Sequence, residues 1–191
     1  FEDNLRIQNN LIQSSYEFGV EKLLFLGSSC IYPRECSQPI KEDCLLTGSL
    51  QLTNEWYAIA KLAGIKLFQA HRNQCNCDFI SLMPTNSYKP NNNFHPEFLH
   101  VPAALIRRFH EAKINKANLV KVWGTGKSKR EFLHVNDLAK AIVYMLENYS
   151  SSEPINIGTR IDISIKQFAK LLAEALGFKG DIFMTTQSQM V

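Results

Sequence analysis

No stretch of the 191 residues approaches the run of about 20 apolar residues that a membrane-crossing helix needs, so no membrane partner is expected. Neither sign of charge dominates. Lys and Arg number 21 against 18 Asp and Glu, a net charge of +3. That is too little to predict a nucleic-acid partner, though it suits an anionic small ligand. No signal-peptide pattern is visible. The five cysteines (30, 36, 44, 75 and 77) are odd in number and lack the spacing of a disulfide framework or a zinc ribbon. The lone pair Cys75 and Cys77 is too small a donor set for a metal, so none is expected. Reduced thiols in a cytoplasmic chain are the simplest reading. Repeats and low-complexity tracts are missing, and so is any GxGxxG turn that would offer backbone amides to a pyrophosphate. The chain opens on Phe1 in a helix-like pattern rather than on Met, which suggests a fragment.

What is present reads as an ordinary globular composition, 45% hydrophobic and 20% charged. Leu5, Leu11, Ile12 and Tyr16 predict a first helix, stopped by Gly19. KLLFLGS (22–28) and DFISLM (78–83) read as buried strands, the second ending at Pro84. A polar loop with Pro33 and Pro39 joins the first of these to a helix over 54–74. Asn91–Asn93 fall in a long loop. Helices are predicted over 99–113, with Pro102 in the first turn, and over 136–148. LVKVW (119–123) and PINIG (154–158) read as strands, and GTGKSK as a turn. Ser164 and Gln167 form a capping-box pattern for a last helix closed by Gly177. Alternating strands and helices predict an α/β fold with a parallel sheet.

Ligands of such sheets bind at the carboxyl ends of strands, where Ser28, Pro84 to Asn86 and Trp123 all fall, so a shared cleft is expected. Tyr57 and Lys61 lie one helical turn apart, on one face. An ammonium there would favour the phenolate and fit Tyr57 for proton exchange with a carbonyl or alcohol. Ser28 would hold the same oxygen. Cys30 points the same way as Ser28 if the strand stays extended; it serves either as a base or as a small buried hydrophobe. Val101, Leu105 and Arg108 share a helix face, and an arginine there needs a phosphate or a carboxylate partner. Trp123 reads as a stacking platform or a core residue, Arg130 as a phosphate partner or a solvated charge. His134 and Asp137 look catalytic in isolation, but a helix start capped by Asn136 or Asp137 is preferred.

FLGSSCIYP (25–33), TNEWYAIAKLAGIK (53–66), MPTNSY (83–88), RRFHEA (107–112) and WGTGKSKREFLHVND (123–137) stand in the order seen in the GDP-L-fucose synthases, which the chain resembles over nearly all of residues 1–183. These are epimerase-reductases of the extended short-chain dehydrogenase/reductases. The resemblance implies a partial Rossmann-like, doubly wound parallel sheet with part of a smaller substrate-binding domain, residues 1–90 being the C-terminal portion of the NADP-binding domain and residues 91–191 mixed substrate-domain segments and returning Rossmann elements. The resemblance implies NADPH-dependent epimerisation at C3 and C5 and 4-keto reduction of GDP-4-keto-6-deoxy-D-mannose. It implies that Ser28, Tyr57 and Lys61 form the catalytic triad. Cys30 would be the epimerisation base and His100 the acid. Leu26, Gly27, Ser28, Ser29, Tyr57, Lys61, Pro84, Thr85, Asn86, Ser87 and His100 would line NADP. Arg108, Trp123 and Arg130 would contact the GDP-sugar substrate. It further implies a homodimer through a four-helix bundle made by the first helix and the helix at 54–74. The competing expectations are an inactive, truncated remnant and a related sugar-nucleotide 4-epimerase or dehydratase. Against a dehydratase, Ser29 and Cys30 stand where an acidic residue would follow the serine. Lys89 replaces the usual glycine, Pro102 is shifted one place, and the glycine-rich first turn and the carboxy-terminal substrate segment are not in the sequence.

Overall fold

A helix (α1) covers Glu2–Glu17 and ends where Gly19 takes a φ of 66°, a conformation that costs glycine no Cβ clash. Its buried face carries Ile12 and, unusually, Gln8, whose Nε2 donates to the carbonyl of Ala60 at 2.8 Å. Ala60 belongs to a long helix over Glu55–Cys75 (α2). The two helices approach closely because Gly64 has no side chain. A Cβ there would lie 2.5 Å from Phe25 Cζ and 2.9 Å from Gln8 Oε1. The computed structural model describes residues 1–92 and 101–185.

The strands are β1 (Lys22–Leu26), β2 (Asp78–Pro84), β3 (Asn86–Tyr88), β4 (Leu119–Trp123), β5 (Lys129–His134), β6 (Ile155–Ile157), β7 (Asp162–Ser164) and β8 (Asp181–Thr185). The remaining helices are α3 (Val101–Ile114), α4 (Val135–Asn148) and α5 (Ile165–Leu176). The described residues form two units. The first is Phe1–Ser87 with Val135–Gly158, so the chain leaves this unit and returns to it.

In the first unit β1, β2 and β6 make a parallel sheet in that order, with Leu26 opposite Leu82 and Met83 opposite Asn156. Strand β2 is central and its residues from Phe79 to Met83 are buried without alternation, as expected for a strand covered on both faces. Ile12, Phe68 and Phe79 pack on one face, Ile80, Leu82 and Met145 on the other. Lys22 and Arg72 both pair with the carboxylate of Asp78, which also accepts from Ser150, so the amino ends of β1 and β2 are tied together by charge.

In the second unit β4 and β8 pair in parallel, and β5 pairs with β7 antiparallel. The core is Leu105, Phe109, Val120, Val122, Ile165, Ala169 and Ala173. Helix α5 has the capping box read from Ser164 and Gln167, and Gly177 closes it at a φ of 64°.

The α/β class stands, with two corrections of detail. The turn expected over GTGKSK gives way at Lys129 to strand β5, Lys129–His134, for which no strand is predicted. Its alternation is hidden because charged residues face solvent and only Leu133 is fully buried. Helix α4 follows at once, so Asn136 and Asp137 lie inside its first turn rather than capping it.

Candidate active site

The chain leaves β1 at Leu26, two residues earlier than the sequence suggested. Gly27 donates its N–H to the Leu82 carbonyl at 2.8 Å, and a Cβ on it would meet Met83 Sδ at 2.6 Å. The backbone then turns. Ser28 caps a short 3-10 helix (Ser29–Ile31), its Oγ accepting from the Cys30 N–H at 3.3 Å. The expectation that Ser28 and Cys30 point together along an extended strand is therefore wrong, because the strand has already ended. Cys30 is exposed rather than buried, and Ile31 behind it is fully buried and anchors the turn.

Helix α2 brings Tyr57 and Lys61 to this turn. The Lys61 Nζ donates to the Leu26 carbonyl at 2.8 Å and lies 4.8 Å from the centre of the Phe25 ring. The same nitrogen is 5.9 Å from the centre of the Tyr57 ring. Burial lowers the Lys61 pKa. The phenol behaves opposite to the expectation of an ammonium-stabilised phenolate. Burial raises the Tyr57 pKa above its ordinary value and Cys30 adds to the rise, while hydrogen bonding to Ser28 offsets part of it. Lys61 spends its hydrogen bond on the Leu26 backbone carbonyl rather than on the phenol.

Pro84 ends β2, and Thr85, Asn86 and Ser87 follow it in the same unit. The Thr85 N–H bonds the Ile157 carbonyl at 3.1 Å, while its buried Oγ1 has no partner among the described residues. Ser87 Oγ bonds the Thr85 carbonyl at 3.5 Å. The half-buried Lys61 ammonium has three donors, and among the described residues the Leu26 carbonyl takes one of them. With the orphaned Thr85 hydroxyl, these groups fit a polyhydroxylated, hydrogen-bonding cofactor edge. His100 lies outside the described residues.

The second unit holds the other candidate residues around one pocket of about 200 Å³, lined by Val101, Leu105, Arg108, Trp123, Ser128 and Arg130 among others. The Arg108 guanidinium stacks 3.8 Å from the centre of the Trp123 ring and bonds the Lys121 carbonyl at 3.3 Å. Among the described residues no carboxylate pairs with Arg108, and burial lowers its pKa. The ion-pair reading of Arg108 thus finds no partner among the described residues. Trp123 is 49% exposed, so it is a platform and not a core residue. It ends β4, which pairs with β8 and not with β1 or β2. The strand-end argument assumed a single sheet, so it does not place Trp123 in a cleft with Ser28. Sequence reasoning missed Ser128 as a pocket residue, since a serine in a lysine-rich turn carries no signal of its own.

The chain matches the family model described as NAD dependent epimerase/dehydratase family over residues 1–158. GDP-L-fucose synthase 1 of Arabidopsis thaliana is 60% identical over 179 residues, covering 94% of this chain and 55% of that protein. The GDP-L-fucose synthase of Escherichia coli K12 is 47% identical over 188 residues, 94% of this chain and 59% of that protein. A GDP-L-fucose synthetase from Naegleria fowleri, solved bound to NADP, superposes with a TM-score of 0.87 at 32% identity, covering 99% of this chain and 60% of that one. The chain thus spans little more than half the length of the curated relatives it matches. With the motif order, the turn after β1 and the extent of the match agreeing, the chain belongs to the NAD dependent epimerase/dehydratase family.

Proposed function

We propose that this chain carries the acid–base and hydride-transfer site of a GDP-L-fucose synthase, which converts GDP-4-keto-6-deoxy-D-mannose to GDP-L-fucose with NADPH. The observation that carries this reading is the grouping of Ser28, Cys30, Tyr57 and Lys61 at the carboxyl end of β1, with Tyr57 held protonated by burial. High identity to synthases from plants and bacteria supports it.

NADPH, when bound, supplies the hydride for the 4-keto carbon. Lys61 and the Thr85 hydroxyl would hold it. Tyr57 gives its proton to the sugar 4-oxygen, and Ser28 donates a hydrogen bond to the same oxygen. The 4-keto group acidifies the C–H bonds at C3 and C5. Cys30, exposed on its turn, takes those protons, and His100 returns protons to the opposite face. Arg108 and Arg130 hold the diphosphate, and Trp123 offers its ring to the nucleotide base. Two copies pair through α1 and α2, whose exposed Ile7, Leu11 and Trp56 are apolar. No described helix is long and apolar enough to cross a membrane.

The test is the keto sugar nucleotide with NADPH in heavy water. Consumption of NADPH with deuterium entering C3 and C5 is expected. Tyr57→Phe should lose reduction by about 100-fold or more yet keep exchange, and Cys30→Ala should lose exchange. Loss of both reactions on Tyr57→Phe alone, or neither, contradicts the assigned roles.

A further inference from the structure

The 3-10 helix that carries Ser29 and Cys30 is weakly held from within. Its hydrogen bonds are long: the Cys30 N–H to Ser28 Oγ at 3.3 Å, the Ile31 N–H to the Ser28 carbonyl at 3.2 Å, and the Tyr32 N–H to the Ser29 carbonyl at 3.4 Å. Bonds of this type are poorer in geometry than those of an α-helix. The turn is pinned instead at its two ends. At the first, Gly27 donates to the Leu82 carbonyl at 2.8 Å and Lys61 Nζ to the Leu26 carbonyl at 2.8 Å. At the second stands Tyr32, buried, whose hydroxyl donates to Asn156 Oδ1 at 2.7 Å.

Asn156 is itself fixed. It lies in β6, opposite Met83 of β2. Glu42 Oε1 accepts its N–H at 2.8 Å, and its Nδ2 donates to the Ile40 carbonyl at 3.3 Å. A carbonyl can only accept, so the amide nitrogen faces Ile40 and the amide oxygen faces Tyr32, which makes the phenol the donor. Burial first, then the Glu42 carboxylate, pushes the Tyr32 phenol up to about 12, so it keeps that proton at neutral pH. The next residue of β6, Ile157, accepts the Thr85 N–H at 3.1 Å. One short strand therefore holds the Ser28–Cys30 turn through Tyr32 and the candidate cofactor edge through Thr85.

We propose that Tyr32 and Asn156 are positioning residues, and that their hydrogen bond sets where Cys30 stands for proton removal at C3 and C5. The inference rests on the reaction proposed above. Both residues act through the turn rather than on the sugar. Cys30 lies two residues from Tyr32, while Ser28 adjoins the Gly27 pin, which does not involve Asn156. Small displacements of a reacting group cost rate steeply, so loss of the second pin falls on the Cys30 step.

The test uses the 191-residue chain with GDP-4-keto-6-deoxy-D-mannose in heavy water and oxidised NADP, which has no hydride to give. Deuterium entering C3 and C5 is followed by mass spectrometry. Each rate is divided by the concentration of sites counted by NADPH titration, so unfolded chain does not enter it. Tyr32→Phe removes the hydroxyl and keeps the ring, which packs with Ile31, Leu62, Ile65 and Met83. Asn156→Ala removes the acceptor. Each should lower exchange per site by about 10-fold or more, with the KM for the sugar nucleotide within about 2-fold of the parent. The double variant should be no slower than Asn156→Ala alone, because the same hydrogen bond is lost in both. Fewer sites at an unchanged rate per site, losses that multiply in the double variant, or a raised KM at an unchanged kcat would overturn it. A parent without exchange overturns the proposed reaction and the positioning role with it. Parent exchange that both variants retain overturns the positioning role alone.

Discussion

Replacing Arg108 separates the ligand role of the pocket from any structural one. The guanidinium stacks 3.8 Å from the centre of the Trp123 ring, and its hydrogen bond to the Lys121 carbonyl is long, 3.3 Å. A stack of this kind stabilises by about 0.5–1 kcal/mol at a partly exposed site. Burial works against the charged group, as its lowered pKa shows. The two effects oppose, so Arg108→Ala should change the stability of the chain by no more than about 1 kcal/mol. A phosphate bound by this arginine gains a charge-assisted hydrogen bond of about 1.5–3 kcal/mol, or about 10- to 150-fold in affinity. GDP titrated calorimetrically should therefore bind about 10- to 150-fold more weakly to Arg108→Ala, and binding to the parent should weaken as salt rises. Arg108→Lys keeps the charge but loses the planar fork and the stack, and should recover only part of the affinity. GDP affinity within 2-fold of the parent in Arg108→Ala, with about the same salt dependence, would refute the reasoning.

Tyr57 should titrate above the ordinary phenol range, read as the difference in ultraviolet absorbance between the parent and Tyr57→Phe. Its raised folded pKa means that its stabilising contribution is complete below the unfolded pKa of about 10 and is lost as pH climbs through the folded value. Cys30→Ser should shift that titration downward, and Ser28→Ala upward. Asp78 behaves in the reverse sense. Burial pushes its carboxyl up, but bonds from Arg72, Ser150 and Lys22 together pull it below the usual carboxylate range. Its stability is present above the unfolded pKa and lost as pH falls through the depressed folded one, so Asp78→Asn should flatten the acid limb of a stability–pH curve. Gly64→Ala should destabilise by about 1–3 kcal/mol in urea melts, because its methyl would press on Phe25, itself packed on Phe68, and on Gln8.

The sequence made the helices legible because their caps and periodicity are local. Ser164, Gln167 and Gly177 define α5 without reference to anything distant. Strand β4 was legible for the same reason, with Val120 and Val122 buried between exposed neighbours. The pairing of strands was not. Nothing in LVKVW says that its partner is DIFMT rather than the sheet of KLLFL, because register and sheet membership are set by long-range packing. The cluster around Ser28 was visible through motif order, but its electrostatics were not. Whether Lys61 serves Tyr57 or the Leu26 carbonyl is a matter of where a flexible side chain finds its nearest acceptor. Asn156 left a faint signal as a polar residue between Ile155 and Ile157, and its partners Tyr32 and Glu42 lie over 100 positions away.

The account stands most directly on whether Lys61 and its neighbours hold NADPH. Fluorescence titration of NADPH into the 191-residue chain, repeated with Lys61→Ala, tests this, with circular dichroism showing that both are folded. Saturable binding that Lys61→Ala weakens about 10-fold or more is the expected result. A folded chain that shows no binding up to millimolar cofactor, or that binds equally well without the lysine, would contradict the assignment.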